Sequence, residues 1–456
     1  MAFSSIACIN VDDRSFPTQD SFSIIIPANI GDGLTKAIEP GSGGTTITSA
    51  FSTNDKIYLY KDNGSGEYTW IRDKNGNAGY LTPKENGPKS ELVGTLKGTV
   101  SVGDKLILFY KNSRSVDDIT RYYYSYSRQD GSVEKVCDYA IAEVTVTSWE
   151  GNDTDGYTLQ TSAAHFESVQ SIFRQKLTFL KDGNPVTPAS LESLIVSSEN
   201  NDIQESYYPF GTSTYYDQIA ISSPVLDSEN AFFLGIRFGG SVTADNLTIT
   251  VQDTEGNVFA CTKASPDGGF KNGIYYYGQM TLNWIKQNLK PTVTGTTVQP
   301  NAENRYQFFD RDAENNYIPS NFTISGTSSG YSFYLHVGGI VTLDNLTANR
   351  DDDEFILSAG DLTIDIMGDN QIKCSDYQCI TTVGDAVVLK LKGDGTLTVT
   401  TKYDLYKGLK GANYDYNSNS DPSVLAVEGY QVTCSDRVDN SDGTFTWKYT
   451  VHPVTP

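Results

Sequence analysis

Residue types that support acid–base or metal chemistry are few and scattered in this chain of 456 residues. The only histidines are His165, His336 and His452, and none of them belongs to a His-Glu-x-x-His helix, the arrangement that places two zinc ligands on one face. A histidine in an alternating stretch, as His165 is, is more often a packed or edge residue than a base. The sequence therefore predicts no catalytic residue and no cofactor.

Carboxylates are abundant, and two clusters are dense enough to consider as calcium ligands. They are Asp351-Asp-Asp-Glu354 and Asp310-Arg-Asp-Ala-Glu314. Hard oxygen ligands suit Ca²⁺, but neither cluster has the glycine that the sharp turn of an EF-hand loop needs. We interpret both clusters as solvated loops and predict no metal site. A carboxylate pair acting as glycosidase acid and base stays a third, less favoured hypothesis, because 56 acidic residues bring pairs together by chance.

Tyrosine is the commonest aromatic residue, with 29 in the chain. Most tyrosines in such a sequence serve as cross-strand packing partners. The stretch that combines rings with amide and carboxylate acceptors most densely runs from residue 403 to 416. It predicts an exposed loop that contacts sugar through Tyr403, Tyr406, Tyr414 and Tyr416.

The six cysteines are spread over the whole chain, so the sequence alone cannot pair them. Cys374 and Cys379 are close enough to close a small disulfide loop in an oxidising compartment, and two buried free thiols are the alternative. The segment Met1-Ala-Phe-Ser-Ser-Ile-Ala-Cys8 resembles the end of a bacterial lipoprotein signal, which predicts lipidation of Cys8 within a longer precursor. A chance Ala-Cys pair is the alternative.

The charge balance excludes two classes of partner. Lys and Arg total 34 against 56 Asp and Glu, a formal net charge of −22, whereas nucleic acids and anionic lipids require clustered cations. No apolar run approaches the roughly 20 residues that a membrane-spanning helix needs.

The elements that must position these residues are predicted to be strands. Segments such as Lys56-Ile-Tyr-Leu-Tyr and Asn246-Leu-Thr-Ile-Thr-Val alternate in polarity, and Asp-Gly or Asn-Gly turns separate them. Breaks at residues 150–156 and 290–300 divide the chain. We predict an all-β protein with a leader or removable strand segment over 1–36, β-sandwiches over 37–156 and 157–292, and a β-solenoid or β-helix-like domain over 301–456.

The solenoid prediction depends on a loose repeat. Four segments begin alike, and their central residues are spaced by 19, 21 and 25 (323 to 342 to 363 to 388). The segments are Phe322-Thr-Ile, Val341-Thr-Leu, Leu362-Thr-Ile and Val387-Val-Leu. Each unit would be one coil that buries its apolar face on its neighbours. A third antiparallel sandwich is the alternative.

From about Thr35 to Leu289 the sequence resembles the fimbrillin family, the type V pilins and associated adhesins of Bacteroidetes. The resemblance depends on ordered weak motifs, listed here: Thr35-Lys-Ala-Ile before Phe51-Ser-Thr-Asn-Asp-Lys-Ile-Tyr-Leu, Val102-Gly-Asp-Lys-Leu-Ile-Leu-Phe-Tyr, Asp138-Tyr-Ala-Ile-Ala, and Leu247-Thr-Ile-Thr-Val-Gln-Asp. The repeats after residue 301 are similar to small carbohydrate-binding-type β-helix domains of bacterial surface proteins.

The resemblance implies how the protein would assemble. Cleavage between Lys36 and Ala37 would release a strand carrying Phe22, Ile24 and Ile26, and another pilin subunit would fill the groove by strand insertion. The family usually has Arg at the cleavage position, where this chain has Lys36. The alternative is that residues 22–26 form a permanent strand of a monomeric surface lipoprotein.

These observations predict a cell-surface adhesion protein of the outer membrane or fimbrium, exported as a lipoprotein and acting as a tip or accessory pilus subunit rather than a shaft subunit. Its expected partners are other pilin subunits and host or bacterial surface glycans. Phe445-Thr-Trp-Lys-Tyr-Thr-Val alternates well and is a candidate donor strand. The alternative function is a carbohydrate-binding surface lipoprotein without a pilus role. A β-helix enzyme that degrades polysaccharide is a less favoured hypothesis.

Overall fold

Strands make up most of the chain. The computed structural model describes residues 21–30, 39–40, 47–48, 50–64, 67–111, 124–126, 129–136, 139–152, 156–198, 203–207, 214–216, 218–239, 246–351, 353–375, 377–384, 387–402, 405–411 and 424–454. Within these ranges the only helical segments are two 3-10 turns, Val133–Lys135 and Leu405–Gly408. The predicted all-β class is therefore confirmed. None of the described helical segments has the length and hydropathy to cross a membrane.

The first unit contains twelve strands in the described part of the chain. They are β1 (Phe22–Ile30), β2 (Glu39–Pro40), β3 (Ile47–Thr48), β4 (Ile57–Gly64), β5 (Glu67–Trp70), β6 (Tyr80–Pro83), β7 (Lys89–Leu96), β8 (Lys105–Lys111), β9 (Tyr124–Ser125), β10 (Tyr139–Asn152), β11 (Gly156–Thr161) and β12 (Ala164–Ser168).

The main sheet of this unit closes on itself. Seven strands follow one another around it in the order β1-β12-β10-β8-β4-β6-β7, and β7 pairs again with β1. This differs from the predicted sandwich of two sheets, because β1 pairs along both of its edges and so joins strands that would otherwise be sheet edges. β11 and β12 belong to this sheet, which therefore extends to Ser168.

The second unit is built mainly on one eight-stranded sheet. Its strands are β13 (Ser171–Lys181), β14 (Asn184–Val186), β15 (Leu191–Ser198), β16 (Ile203–Tyr207), β17 (Thr214–Tyr216), β18 (Gln218–Ser222), β19 (Ala231–Ile236), β20 (Leu247–Asp253), β21 (Asn257–Lys263) and β22 (Tyr275–Gln287). The sheet runs β14-β13-β22-β21-β20-β15-β18, with β19 also paired to β13, while β9 and β17 flank β16 in a separate small sheet. Whether this unit is a sandwich stays a prediction.

The third unit has fourteen strands among the described residues. They are β23 (Thr292–Thr294), β24 (Arg305–Phe308), β25 (Ser320–Ser329), β26 (Ser332–Leu335), β27 (Gly339–Arg350), β28 (Ile356–Ser358), β29 (Leu362–Cys374), β30 (Ile380–Thr382), β31 (Leu389–Thr401), β32 (Leu409–Lys410), β33 (Val424–Ala426), β34 (Tyr430–Cys434), β35 (Val438–Asp439) and β36 (Phe445–Pro453).

From β24 to β32 the chain visits two sheets alternately. β24, β26, β28, β30 and β32 form a five-stranded sheet in which every neighbour is parallel, and β25, β27, β29 and β31 pair in parallel within the other sheet. β36 ends the parallel run of this second sheet, because it pairs antiparallel with β31 and with β34, the last strand of the sheet. A β-solenoid requires such a path, and the class of the unit stays a prediction.

Two of the three spacings between paired residues of successive repeats are two residues longer than predicted. Thr323 pairs with Thr342 as predicted, but Thr342 pairs with Asp365 and Asp365 with Lys392, which are spacings of 19, 23 and 27. A shift of two residues keeps every side chain on its predicted face, so the hydrophobic pattern is satisfied equally well by either register.

Three main cores stabilise these units. One lies inside the closed sheet and includes β1, and another fills the space between the two parallel sheets of the third unit. The remaining core is shared: Tyr58 and Phe109 of the first unit belong to the same cluster as Phe173 and Leu234 of the second. The first two units are therefore joined by apolar packing.

Candidate functional site

The candidate site is the position of β1 in the closed sheet. Phe22, Ile24, Ile26, Ala28 and Ile30 alternate inward and are buried, and the residues between them are less buried or exposed. The sequence prediction that Phe22, Ile24 and Ile26 face inward therefore agrees with the structure. An alternating strand with one buried face fixes its own register, since a slip by one residue would expose all five side chains.

β1 is paired along both edges. On one side it runs antiparallel to β7, with partners from Phe22 and Leu96 to Asn29 and Lys89. On the other side it runs parallel to β11 at its start and to β12 at its end. Removing β1 would therefore open the closed sheet and expose one edge of β7 and one edge each of β11 and β12, which are rows of unpaired backbone donors and acceptors.

Side chains at each end of β1 add contacts to the backbone pairing. The ring of Phe22 packs edge-on against Trp149, with centroids 5.2 Å apart. At the other end, Asn29 Oδ1 lies 2.6 Å from His165 Nδ1 of β12, and the amide of Ile30 donates to the carbonyl of Pro88 at 2.9 Å. His165 is exposed on β12, and this contact joins it to β1.

The energetic consequence of losing β1 is large. Burial of one Phe or Ile side chain stabilises a fold by about 1.5–3 kcal/mol. Four such side chains of β1 are buried, so withdrawal without replacement would cost on the order of 6–12 kcal/mol before backbone pairing is counted. This is comparable to the entire stability of many domains, so an opened sheet requires another strand with inward apolar residues at alternate positions.

Several predicted site residues lie outside the described part of the chain. These are Lys36 and Ala37 of the predicted cleavage site, Cys8 of the predicted lipidation site, and Tyr403, Tyr414 and Tyr416 of the predicted sugar-contact loop. The backbone of Tyr406 lies in the 3-10 turn Leu405–Gly408. Its side chain lies outside the described part of the structure. All of these assignments stay predictions.

Cys374 and Cys379 are buried free thiols, so the disulfide alternative is not what the structure contains. The thiol of Cys379 donates to the carbonyl of Ile372 at 3.4 Å. A hydrogen bond with the thiol of Cys379, together with burial, raises the pKa of Cys374. The two side chains thus contribute to the core of the third unit as small apolar groups with satisfied weak donors.

The two acidic clusters make contacts within the protein. Asp351 lies 3.8 Å from Lys286, and Asp353 pairs with Arg305. Asp312 accepts hydrogen bonds from the backbone amides of Glu314 at 3.0 Å and Asn316 at 2.8 Å, which fixes a turn. In the described ranges no group of three or more His, Cys, Asp or Glu side chains is arranged to hold a metal ion.

One Gly-x-Ser-x-Gly spacing occurs in the chain, at Gly326-Thr-Ser328-Ser-Gly330, and the sequence reasoning passed over it. In hydrolases this motif places an exposed serine on a sharp turn between a strand and a helix. Here Ser328 lies inside strand β25 and is only 1% exposed. The motif is therefore a chance spacing on a strand, and it gives no support to acyl-transfer chemistry.

Sequence reasoning also missed an aromatic cluster around His336, in which Phe309 is exposed and the other rings are half-buried. It consists of Phe309, Tyr317, Tyr334 and His336. These residues are up to 27 positions apart and belong to three segments, so no local motif identifies them. Only the parallel pairing of β24 with β26 brings them together.

No model of a protein family matches the chain, and no curated protein sequence does either. Solved structures do match. A candidate cell adhesion protein of Bacteroides uniformis has 16% identity and a TM-score of 0.32, covering 57% of this chain and 93% of its own. The fimbrial anchor protein Mfa2 of Porphyromonas gingivalis has 11% identity and a TM-score of 0.25, covering 51% and 78%. A candidate polysaccharide-binding protein of Bacteroides thetaiotaomicron has 11% identity and a TM-score of 0.26, covering 59% and 94%.

The chain is similar to fimbrillin-like adhesion proteins. The likeness of the C-terminal repeats to carbohydrate-binding-type domains stays a prediction. At these identities and TM-scores the matches assign no site residue and no ligand to this chain. The function has to be inferred from its own contacts.

Proposed function

We propose that this protein is a fimbrillin-like cell-surface adhesion protein that assembles with other pilin subunits by β-strand addition at the position of β1. The observation that carries the proposal is the pairing of β1 along both edges, with five inward side chains buried in the core of the closed sheet. The strand lies N-terminal to Lys36, so cleavage between Lys36 and Ala37 would cut its covalent link to the rest of the first unit.

The physical logic of the exchange supports the proposal. Once cut, β1 would be held only by non-covalent contacts, and a strand from another subunit with a similar alternating pattern would restore both the backbone pairing and the buried apolar surface. An unfilled groove would be costly, so the exchange would be driven by the fit of the incoming strand. The proposed role requires no catalytic residue and no cofactor.

The structure of the third unit bears on whether this protein would be a shaft subunit or a tip or accessory subunit of a pilus. A shaft subunit needs a strand that it can donate, and Phe445-Thr-Trp-Lys-Tyr-Thr-Val is the candidate donor in the sequence. This segment lies within β36, which pairs with β31 on one edge and with β34 and β35 on the other, and its Trp447, Tyr449 and Val451 are buried. Donating β36 would remove these side chains from the core of the third unit. The proposal is therefore a tip or accessory subunit rather than a shaft subunit.

Limited proteolysis tests the cleavage step. Trypsin at low dose should cut after Lys36 in the folded protein, and sequencing of the new N-terminus should begin at Ala37. The variant Lys36→Gln should be resistant at this position while remaining sensitive at other loops. Resistance of the natural protein at Lys36, under conditions that nick its other loops, would contradict the proposed processing.

A peptide test isolates strand addition from processing. After cleavage, a labelled peptide with the sequence of residues 22–30 should exchange into the protein and comigrate with it in gel filtration. A matched peptide carrying Ile24→Asn and Ile26→Asn should not, because it would bury two amides in an apolar core. Equal uptake of both peptides, or uptake of neither by the cleaved protein, would contradict strand addition.

A further inference from the structure

The five-stranded sheet of the third unit presents an unusual outer face at its first strands. Tyr306 and Phe308 of β24 point into the core, so the alternation of a strand directs Gln307 outward, and Phe309, the next residue after β24, is 45% exposed. Gln307 pairs in register with Tyr334, and the amide of His336 donates to the carbonyl of Phe308 at 3.2 Å. Phe309 and His336 are therefore brought together on the outer face.

The rings at this position form one cluster, which we call the aromatic platform: Phe309, Tyr317, Tyr334 and His336. The centroid of His336 lies 4.0 Å from that of Tyr317 and 5.4 Å from that of Phe309. Phe309 and Tyr334 are 5.8 Å apart. Such distances are those of packed aromatic rings, and the contacts restrain the rings before any ligand arrives.

The loop after β24 holds the platform in place. Arg311 covers the ring of Tyr317, with its guanidinium carbon 3.6 Å from the centroid, and donates to the carbonyl of Asn315 at 2.6 Å. Asp312 fixes the turn through the amides of Glu314 and Asn316. The loop therefore acts as a preformed wall, which lowers the entropic cost of binding.

Polar groups continue along the same strand. Arg305 lies four residues before Phe309, about 13 Å away at the usual rise of a strand. Its guanidinium pairs with Asp353 at a groove of about 430 Å³ between the second and third units. Gln218, Gln252, Asn288 and Glu303 also line this groove. One elongated ligand can thus meet rings at one end and amide, carboxylate and guanidinium groups at the other.

We propose that the aromatic platform and the adjoining groove bind a neutral glycan. One sugar ring would place its apolar C–H face on Phe309 and His336, and the following units would hydrogen-bond along Gln307 toward Arg305 and Asp353. Partly exposed aromatic rings beside a few planar polar groups are the combination that small-molecule sites use for affinity and orientation.

Other occupants fit the face less well. The chain carries a net charge of −22 and the loop itself carries Asp310, Asp312 and Glu314, so an acidic glycan or a second copy of the chain would be repelled. Among the described residues near the platform, only Phe309 and Ile318 are exposed large hydrophobic side chains. That is small against the roughly 800 Å² per partner of a standard protein interface.

A glycan array probed with the intact, uncleaved protein tests the proposal, so its outcome does not depend on strand addition. Binding to a subset of neutral glycans is expected, followed by titration calorimetry with the best one. Phe309→Ala and Tyr317→Ala should each weaken that affinity by about tenfold or more, as loss of an aromatic anchor does. Tyr277→Ala provides the matched control, because Tyr277 is 54% exposed but lies on β22 of the second unit, and it should leave the affinity unchanged.

Circular dichroism and thermal unfolding should be unchanged in all three variants, which would show that weaker binding does not result from unfolding. A blank array, binding restricted to acidic glycans, or equal losses in Phe309→Ala and Tyr277→Ala would overturn the proposal. Analytical ultracentrifugation tests whether a second copy of the chain occupies this face instead. A dimer that dissociates in the Phe309→Ala variant would assign the face to a second copy and would overturn the glycan proposal.

Discussion

At the scale of single residues, Glu354 is a titratable group whose charge depends on the fold. Burial, together with the hydrogen bond that it shares with Asp353, raises the pKa of Glu354 from an ordinary value of 4.5 to about 7. Asp353 is paired with Arg305, so Asp353 carries the charge and Glu354 holds the proton. Such a pair titrates together, and the direction for Glu354 follows from its burial beside another carboxylate.

The raised pKa makes stability depend on pH. Between about pH 4.5 and pH 7 the folded protein keeps a proton on Glu354 that the unfolded chain releases, so this contribution is complete below that window and is lost as the pH rises through about 7. Glu354→Gln mimics the protonated form. We expect the urea midpoint of this variant to fall less between pH 5 and pH 8 than that of the natural protein.

The comparison needs a control, because a change of pH acts on the whole protein and not on Glu354 alone. Glu314→Gln removes an equivalent carboxylate at an exposed position of the same unit and should leave the slope as it is in the natural protein. Parallel slopes for the natural protein and Glu354→Gln would show that Glu354 is ionised in the fold, contrary to the expectation.

At the scale of elements, the sequence predicted β1 well but not its neighbours. The alternation of Phe22, Ile24 and Ile26 identifies a strand and its buried face, and the structure has both. The same alternation satisfies an edge strand, a sandwich strand or a strand that closes a sheet, because side-chain polarity specifies the face and not the partner. Closure depends on β7, β11 and β12, whose residues are 60 to 136 positions away from their partners in β1.

The repeats of the third unit illustrate the same limit. Their apolar alternation predicted strands and faces, while the coil lengths of 23 and 27 residues depend on turns whose geometry the sequence does not reveal. The aromatic platform depends in the same way on the pairing of β24 with β26, whose partners are 27 residues apart, so it could not be predicted either. Glycines give the clearest signal of where successive coils touch, because a side chain there would collide with the neighbouring backbone.

Two glycines of the third unit allow the contact between successive coils to be measured. Gly338 and Gly326 have nearly the same backbone conformation, with φ of +81° and +79°. A Cβ at Gly338 would lie 2.0 Å from the carbonyl oxygen of Asp361, whereas a Cβ at Gly326 would meet nothing within 4 Å. The left-handed conformation alone costs an alanine about 1–2 kcal/mol.

We therefore expect Gly326→Ala to lower the free energy of unfolding by the cost of the left-handed conformation, about 1–2 kcal/mol. Gly338→Ala should lower it by about 1–3 kcal/mol more, because the neighbouring coil must move to make room for the methyl group. Urea denaturation of the two variants gives the difference directly. Equal losses would mean that the coils are not packed against each other at Asp361.

At the scale of the whole molecule, the net charge and the sheet edges act together. Proteins rich in strands risk edge-to-edge aggregation, and under the proposed strand addition a charge of −22 would keep copies with an opened sheet apart until a specific strand is inserted. Within one molecule the first two units share an apolar core, so the opened groove would lie in a framework that the second unit supports.

The second and third units meet through a buried polar network centred on Gln252. Its amide nitrogen lies 2.9 Å from Glu192 Oε2, 3.0 Å from Asn304 Oδ1 and 3.1 Å from the hydroxyl of Tyr331. Its carbonyl oxygen accepts from Asn288 at 2.6 Å and from Asn304 at 2.9 Å. Asn304 and Tyr331 belong to the third unit, so Gln252 fixes the two units to each other.

Replacing Gln252 by leucine should loosen this junction without disturbing the first unit. Gln252 is 2% exposed, and each buried partner left without a hydrogen bond costs about 1–3 kcal/mol. Hydrogen exchange should become faster in β20 and in β26, on both sides of the junction, while β1 keeps its protection. Gln279→Leu is the matched control, because Gln279 is exposed and the change there should be within about 0.5 kcal/mol. Faster exchange confined to β20 would mean that the network supports only the second unit, and the two units would then have to be treated as independently moving bodies.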